Sequence, residues 1–212
     1  GISKAYSESG KLLSETNYKD GNLEGIYREY SESGKLRREE NYRDSKKEGT
    51  SKAYYESGKL LSETNYKDGK LEGLYREYHE TGKLKAEVNY KDDKREDLAK
   101  WYDKNGKLDI EVNYRNDKKE GLEKWYYESG ELSVNANYQD GKLEGIRKGY
   151  YESGKLKSEM NYKDGEKEGI GKTYYESGQL FTETNYKNGK DKNGKEEGID
   201  KWYHGSGELG GE

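Results

Sequence analysis

The residue types that ordinarily carry chemistry are sparse in this chain, and their spacings do not suit it. Its two histidines, His79 and His204, fill equivalent places in a repeated pattern, and neither has a second His or a Cys nearby at metal-ligand spacing. Asp92, Asp93, Asp97 and Asp103 form a loose acidic group. They fit neither an EF-hand loop nor a glycine-rich calcium nonapeptide, so turn formation is their expected role. The sequence holds no nucleophile elbow, phosphate-binding glycine loop or zinc-binding helix. These residues argue against an enzyme, and no metal or cofactor is expected.

Two rows of charge are far more regular. A basic residue recurs as Lys4, Arg28, Lys52, Arg76, Lys100, Lys124, Lys148, Lys172 and Lys201, and a glutamate as Glu24, Glu48, Glu72, Glu96, Glu120, Glu144, Glu168 and Glu197. With a net charge of −4, the two rows are expected to neutralise each other between neighbouring elements. Lysine stems lying over tyrosine rings would suit the same arrangement. Nucleic acid is not an expected partner.

The rows exist because the chain repeats. Tyr6, Tyr30, Tyr54, Tyr78, Tyr102, Tyr126, Tyr150 and Tyr174 are spaced by 24 residues each time, and Tyr203 follows after 29. Repeats therefore open at 1, 25, 49, 73, 97, 121, 145, 169 and 198, with an insertion inside 187–197; positions below are counted from each opening residue. Residues 1–24 and 49–72 agree at 21 of 24 places, as if a pair of repeats had been duplicated.

Leu, Ile, Val and Phe make only 27 of the 212 residues, too few for one compact core, while 23 Tyr and 3 Trp supply large rings. A stack in which each repeat touches only its neighbours needs no such core. There is no Cys, which leaves the redox compartment open, and no signal peptide or long apolar run is read. The chain opens on a repeat boundary without Met and stops within its ninth repeat, so it reads as part of a longer array. A surface or secreted setting is the favoured expectation.

Each repeat carries two turn signals, such as Glu56–Lys59 and Lys67–Lys70 in the third, separated by segments that alternate at period two. Both turns are expected to be three-residue loops closed by glycine in a left-handed conformation. The expected fold is all-β: an elongated single-layer antiparallel meander of about nine hairpins. A three-residue first loop sets position 5 opposite 13 and position 2 opposite 16. This opposes Ala53 to Leu61, Glu77 to Lys85 and Leu74 to Val88, but leaves two misfits, Arg28 with Arg38 and Ile26 with Glu40.

On that register the even positions, including Tyr6 and its equivalents, form the packed face. The odd positions form a wet one. Trp101, Trp125, Tyr127, Tyr151, Tyr175 and Trp202 then stand among polar residues, where aromatic rings are characteristic of protein interfaces. They are the candidate partner-binding residues.

The unit G-x-x-K-x-Y-Y-E-S-G-K-L-x-x-E-x-N-Y-K-D-G-K-x-E resembles the bacterial variant of the MORN repeat, often labelled YwqK-type antitoxin, across the whole chain. The resemblance implies a single-layer hairpin array that serves as a scaffold for protein or membrane contacts and has no catalytic residues. A second resemblance is to aromatic hairpin repeats that bind choline or glucan. The expected function is a scaffold for another protein, with self-association through open sheet edges. A carbohydrate- or choline-binding surface and a partner-neutralising antitoxin are the alternatives, and membrane or glycan contact ranks below protein.

Overall fold

A computed structural model describes residues 1–191 and 200–211, and among these there are strands and tight turns but no helix. The rest of the insertion, with Glu197 and the opening of the ninth repeat, lies outside the described residues. The chain divides into two units, Gly1–Gly106 and Lys107–Glu212. Within each, successive strands pair antiparallel with their sequence neighbours in an open meander.

The third repeat shows the pattern. Strands Gly49–Tyr54 and Leu60–Lys67 are joined by the expected three-residue loop. In it the Tyr55 amide donates to Lys59 O (2.8 Å), the Gly58 amide donates to Tyr55 O (2.8 Å), and Gly58 lies at φ 83°. The second turn differs from expectation. Lys67 pairs directly with Lys70, and Asp68 and Gly69 both have positive φ, 51° and 84°. This is a two-residue mirror-image turn, whose twist matches that of the flanking strands. Where its glycine is replaced, Ser45, Asp93 and Asp117 take positive φ (63°, 67° and 66°) in its place.

The expected strand register also needs correction. Tyr54 faces Leu60 as anticipated, but the next pair is Ala53 with Ser62, so Leu61 is an extra, bulged residue. The same shift occurs in other hairpins, as in Ala5 with Ser14, Glu29 with Arg38, Trp125 with Val134 and Thr173 with Thr182. Position 5 therefore opposes 14, and position 2 opposes 17: Leu74 faces Asn89, and Ile146 faces Asn161. Both misfits vanish, because Arg28 now faces Glu39 and Glu40 faces Tyr27.

A one-residue shift exchanges the faces of everything beyond it. Positions 3, 5 and 7 of the first strand share a face with 14, 16 and 18 of the second, and this is the packed face. Glu40, Ser51, Ala86, Val88 and Ala99 are buried on it in the first unit, and Val112, Tyr114, Glu123, Ala136, Thr184 and Tyr186 in the second. Positions 2, 4, 6, 15 and 17 form the outer face, where Ile2, Leu122, Ile146 and Ile170 are all more than half exposed. Tyr6 and its equivalents belong to this outer face, contrary to the sequence expectation.

At the junctions that open on Gly25, Gly49, Gly73, Gly121, Gly145 and Gly169 the second strand continues past the tight turn, and the glycine, at positive φ, bends the chain into the next hairpin. At the first junction the Glu24 amide donates to Asn17 O (2.9 Å), and Gly25 lies at φ 87°. The Asn17 side chain donates to Ile26 O at 3.2 Å, occupying the gap that the bend opens. Asp97 adopts the same conformation, at φ 62°, without being glycine.

Candidate binding surface

The outer face is a charge ladder, with partners other than those expected. Arg28 donates to Glu39 (2.8 Å) within its own hairpin and to Glu15 (3.2 Å) of the preceding one; Arg76 bridges Glu87 (3.0 Å) and Glu63 (3.4 Å) in the same way. In the second unit Lys124 reaches Glu111 at 2.9 Å. The basic row is thus neutralised by the glutamates of position 15. Tyrosines of position 6 join in, with Tyr30, Tyr78, Tyr126 and Tyr174 donating to Glu15, Glu63, Glu111 and Glu159. The hydrogen bonds from Arg28 and Tyr30 hold the Glu15 carboxyl below its usual range. Burial, together with Glu111 and Glu159, pushes the Tyr126 and Tyr174 hydroxyls up to about 12.

The glutamates that precede each repeat do something else. Glu24, Glu48, Glu72, Glu120, Glu144 and Glu168 each accept from the backbone amide of position 20 in the following repeat, at 2.9–3.1 Å. At the opposite end of the hairpins, Lys11, Lys35, Lys59 and Lys107 donate to the position-8 carbonyls Glu32, Glu56, Glu80 and Glu128 of the next repeat, at 2.6–2.8 Å. Side chains therefore cap the turns of the following hairpin at both edges.

The six candidate residues lie on the packed face, not on the wet one. Trp101, in the first unit, is half-buried opposite Ala86. In the second unit Trp125 is flanked by Ile110 and Val134 and keeps 42% of its surface exposed. Tyr127, Tyr151 and Tyr175 are tied down, their hydroxyls donating to Tyr150 O (2.6 Å), Tyr174 O (2.7 Å) and Tyr203 O (3.0 Å) of the next hairpin. Tyr55 makes the same bond to Tyr78 O at 2.7 Å, and His79 Nε2 lies 3.2 Å from Tyr102 O, which gives that histidine a structural place. Trp202 spreads over Gly210 and Gly211, leaving no room for a Cβ on either, and stays 39% exposed with the His204 ring 4.8 Å away. Phe181, which the parity argument passed over, is 41% exposed against Tyr175 at 4.8 Å.

The packed face of the first unit also contains an open trough of about 320 Å³. Its floor is the third repeat, whose Ser51 opposes Thr64 and whose Ala53 opposes Ser62. Arg38, Glu40 and Lys47 wall it on one side, and Tyr75 and Tyr90, packed edge to face at 6.3 Å, on the other. Glu40 is 4% exposed and receives Lys47 (2.8 Å), the Tyr42 hydroxyl (2.7 Å) and, more distantly, Arg38 (3.7 Å). Burial pushes its carboxyl up, but the bonds from Lys47 and Tyr42 outweigh that and bring it below its ordinary value. Burial drives the Tyr42 hydroxyl strongly upward and takes that of Tyr75 to about 12. Among the described residues no group of His, Cys, Asp and Glu is placed to hold a metal ion.

Comparison with known proteins agrees with this arrangement. No curated protein matches the chain. Among solved structures, a likeness is found to an S. aureus TarM mutant in complex with fondaparinux, alpha-GlcNAc-glycerol and UDP. It is 13% identical over 62% of this chain and 21% of that one, with a TM-score of 0.27, too low to carry an argument. The profile of the MORN repeat variant matches residues 1–20, 23–44, 47–68, 71–92, 98–116, 119–140, 143–164 and 167–188. MORN repeats are generally non-enzymatic and associated with scaffolds that bind proteins or membranes. With eight matches along its length, this chain belongs to the MORN repeat variant family.

Proposed function

We propose that the chain is a non-enzymatic scaffold that holds another protein against the ring-bearing face of its hairpins. The observation that carries this reading is the partial exposure of Trp125 (42%) and Trp202 (39%) on the face that is otherwise packed, with the bulged Phe181 (41%) lying against Tyr175 of that face. Aromatic rings set in ordered surroundings are favoured anchors, since a partner gains their remaining area at little entropic cost. Tyr127, Tyr151 and Tyr175 form a rigid rim for them, because each hydroxyl is already bonded to backbone. Trp101 is the corresponding ring of the first unit.

Immobilised chain should retain one protein from an extract of the source cells, identifiable by mass spectrometry. Replacing Trp125, Phe181 and Trp202 together by Ser should abolish retention while the far-ultraviolet spectrum stays that of the parent. Equal retention by the triple variant and the parent would overturn the reading.

A further inference from the structure

The trough of the third repeat is not accounted for by a protein-binding face. Both adjacent repeats place a large ring at position 3, and the second also places a long side chain at position 14. Position 3 is Tyr27 in the second repeat and Tyr75 in the fourth, but Ser51 in the third. Position 14 is Arg38 in the second and Ser62 in the third. The result is a space of about 320 Å³, at the lower end for small-molecule pockets (about 300–1,000 Å³).

The chemistry of its lining narrows the occupant. Ser51 is only 7% exposed, and its Oγ has no hydrogen-bond partner, a state that buried hydroxyls normally avoid. An apolar side chain entering from a partner would leave that oxygen unsatisfied. A charged ligand finds little net counter-charge, since Arg38 is bound to Glu29 (2.7 Å) and Glu40 (3.7 Å), Lys47 to Glu40 (2.8 Å), and Lys52, which also lines the trough, stands opposite Glu63 at an outer-face position. A quaternary ammonium is disfavoured too, because the Lys47 ammonium already lies over the Tyr66 ring at 4.9 Å. What remains is a neutral ligand with many hydroxyls and one C–H face. Its hydroxyls meet Ser51, Thr64 and the charged pair, and its C–H face lies on Tyr75.

We propose that the third-repeat trough is a binding site for a single hexose ring, free or at the end of a glycan. The site shares no residue with the aromatic anchors assigned to a protein partner and does not depend on them.

Ligand-observed NMR on the full chain, titrated with the methyl glycosides of glucose, galactose, mannose and N-acetylglucosamine, tests this directly. At least one glycoside should give saturable binding. Ser51→Ala removes an oxygen that bonds to nothing in the protein, so it should leave the fold intact and weaken that binding about five-fold. Ser51→Tyr gives the third repeat the ring of its neighbours and should abolish binding. Circular dichroism of both variants separates loss of site from loss of fold. The proposal is overturned if no glycoside saturates, if choline chloride or inorganic phosphate binds in place of the sugars, or if folded Ser51→Ala binds as tightly as the parent.

Discussion

The second and third repeats have one backbone and two different interiors. Their strands, turns and bulge superimpose in register, with Tyr30 facing Leu36 and Tyr54 facing Leu60 before the same slip to positions 5 and 14. Their outer faces agree as well, Arg28 opposite Glu39 and Lys52 opposite Glu63. On the packed face, however, the second repeat sets Tyr27, Glu29, Arg38 and Glu40 where the third sets Ser51, Ala53, Ser62 and Thr64. A hairpin of this kind is therefore held by its backbone pairing, its outer ladder and its caps. That leaves the inner side chains free to be large in one copy and small in the next, which is how a trough arises without a break in the sheet.

The largest expected effect comes from striking the filled interior and comparing the same place in the empty one. Glu40→Ala leaves Lys47 without its buried partner and should cost about 3 kcal/mol, as loss of one member of a buried pair does. Thr64→Ala, at the equivalent half-buried position, should cost less than about 1 kcal/mol. Urea denaturation of the two variants measures the contrast, and equal losses would dissolve it.

The pH dependence separates the two faces more finely. Glu40 has a depressed pKa, so its contribution is complete at neutral pH, above its unfolded value, and is lost as pH falls through the folded one. Glu40→Gln should flatten the acid limb of the stability curve. Tyr126 and Tyr174 have raised values, so their contribution is complete below the unfolded value of 10.0 and is lost as pH climbs towards about 12. Glu111→Gln should bring the Tyr126 titration, followed by ultraviolet absorbance, back towards 10.0. Smallest of all is Asp97→Gly, which relieves a non-glycine residue at φ 62° but loses the bond from Asn89 (3.3 Å). A gain of only about 0.5 kcal/mol is expected, read as a slight rise in melting temperature.

Much of this architecture is legible in the sequence, because spacing carries it. The period, the paired strands and the three-residue first loop follow from Tyr and Gly recurring every 24 residues. The bulge is harder to see, since Leu12-Leu13 and Leu60-Leu61 read as ordinary strand. Its signature is position 13 itself, which is Leu, Arg, Leu, Lys, Asp, Ser, Lys and Phe down the first eight repeats and so follows no single face. The clash of Arg28 with Arg38 in the unbulged register was a second sign. One missed residue was enough to invert the faces, and the candidate rings moved from the wet side to the packed side with them. The trough was invisible for another reason: it is made by what neighbouring copies have and the third lacks.

The turn caps bear on how such a chain can change over generations. Each capping glutamate serves an amide 20 residues ahead, in the following copy, and each capping lysine a carbonyl 21 residues ahead. Donor and acceptor therefore never belong to the same copy. An unequal crossover that inserts or deletes one whole 24-residue period leaves every cap with a recipient, because the newcomer both receives from behind and gives ahead. Loss of half a period strands them all along the seam. The gene can thus lengthen or shorten in whole periods with no compensating mutation, and a copy whose interior differs from those beside it, like the third, can be carried along by its neighbours' grip.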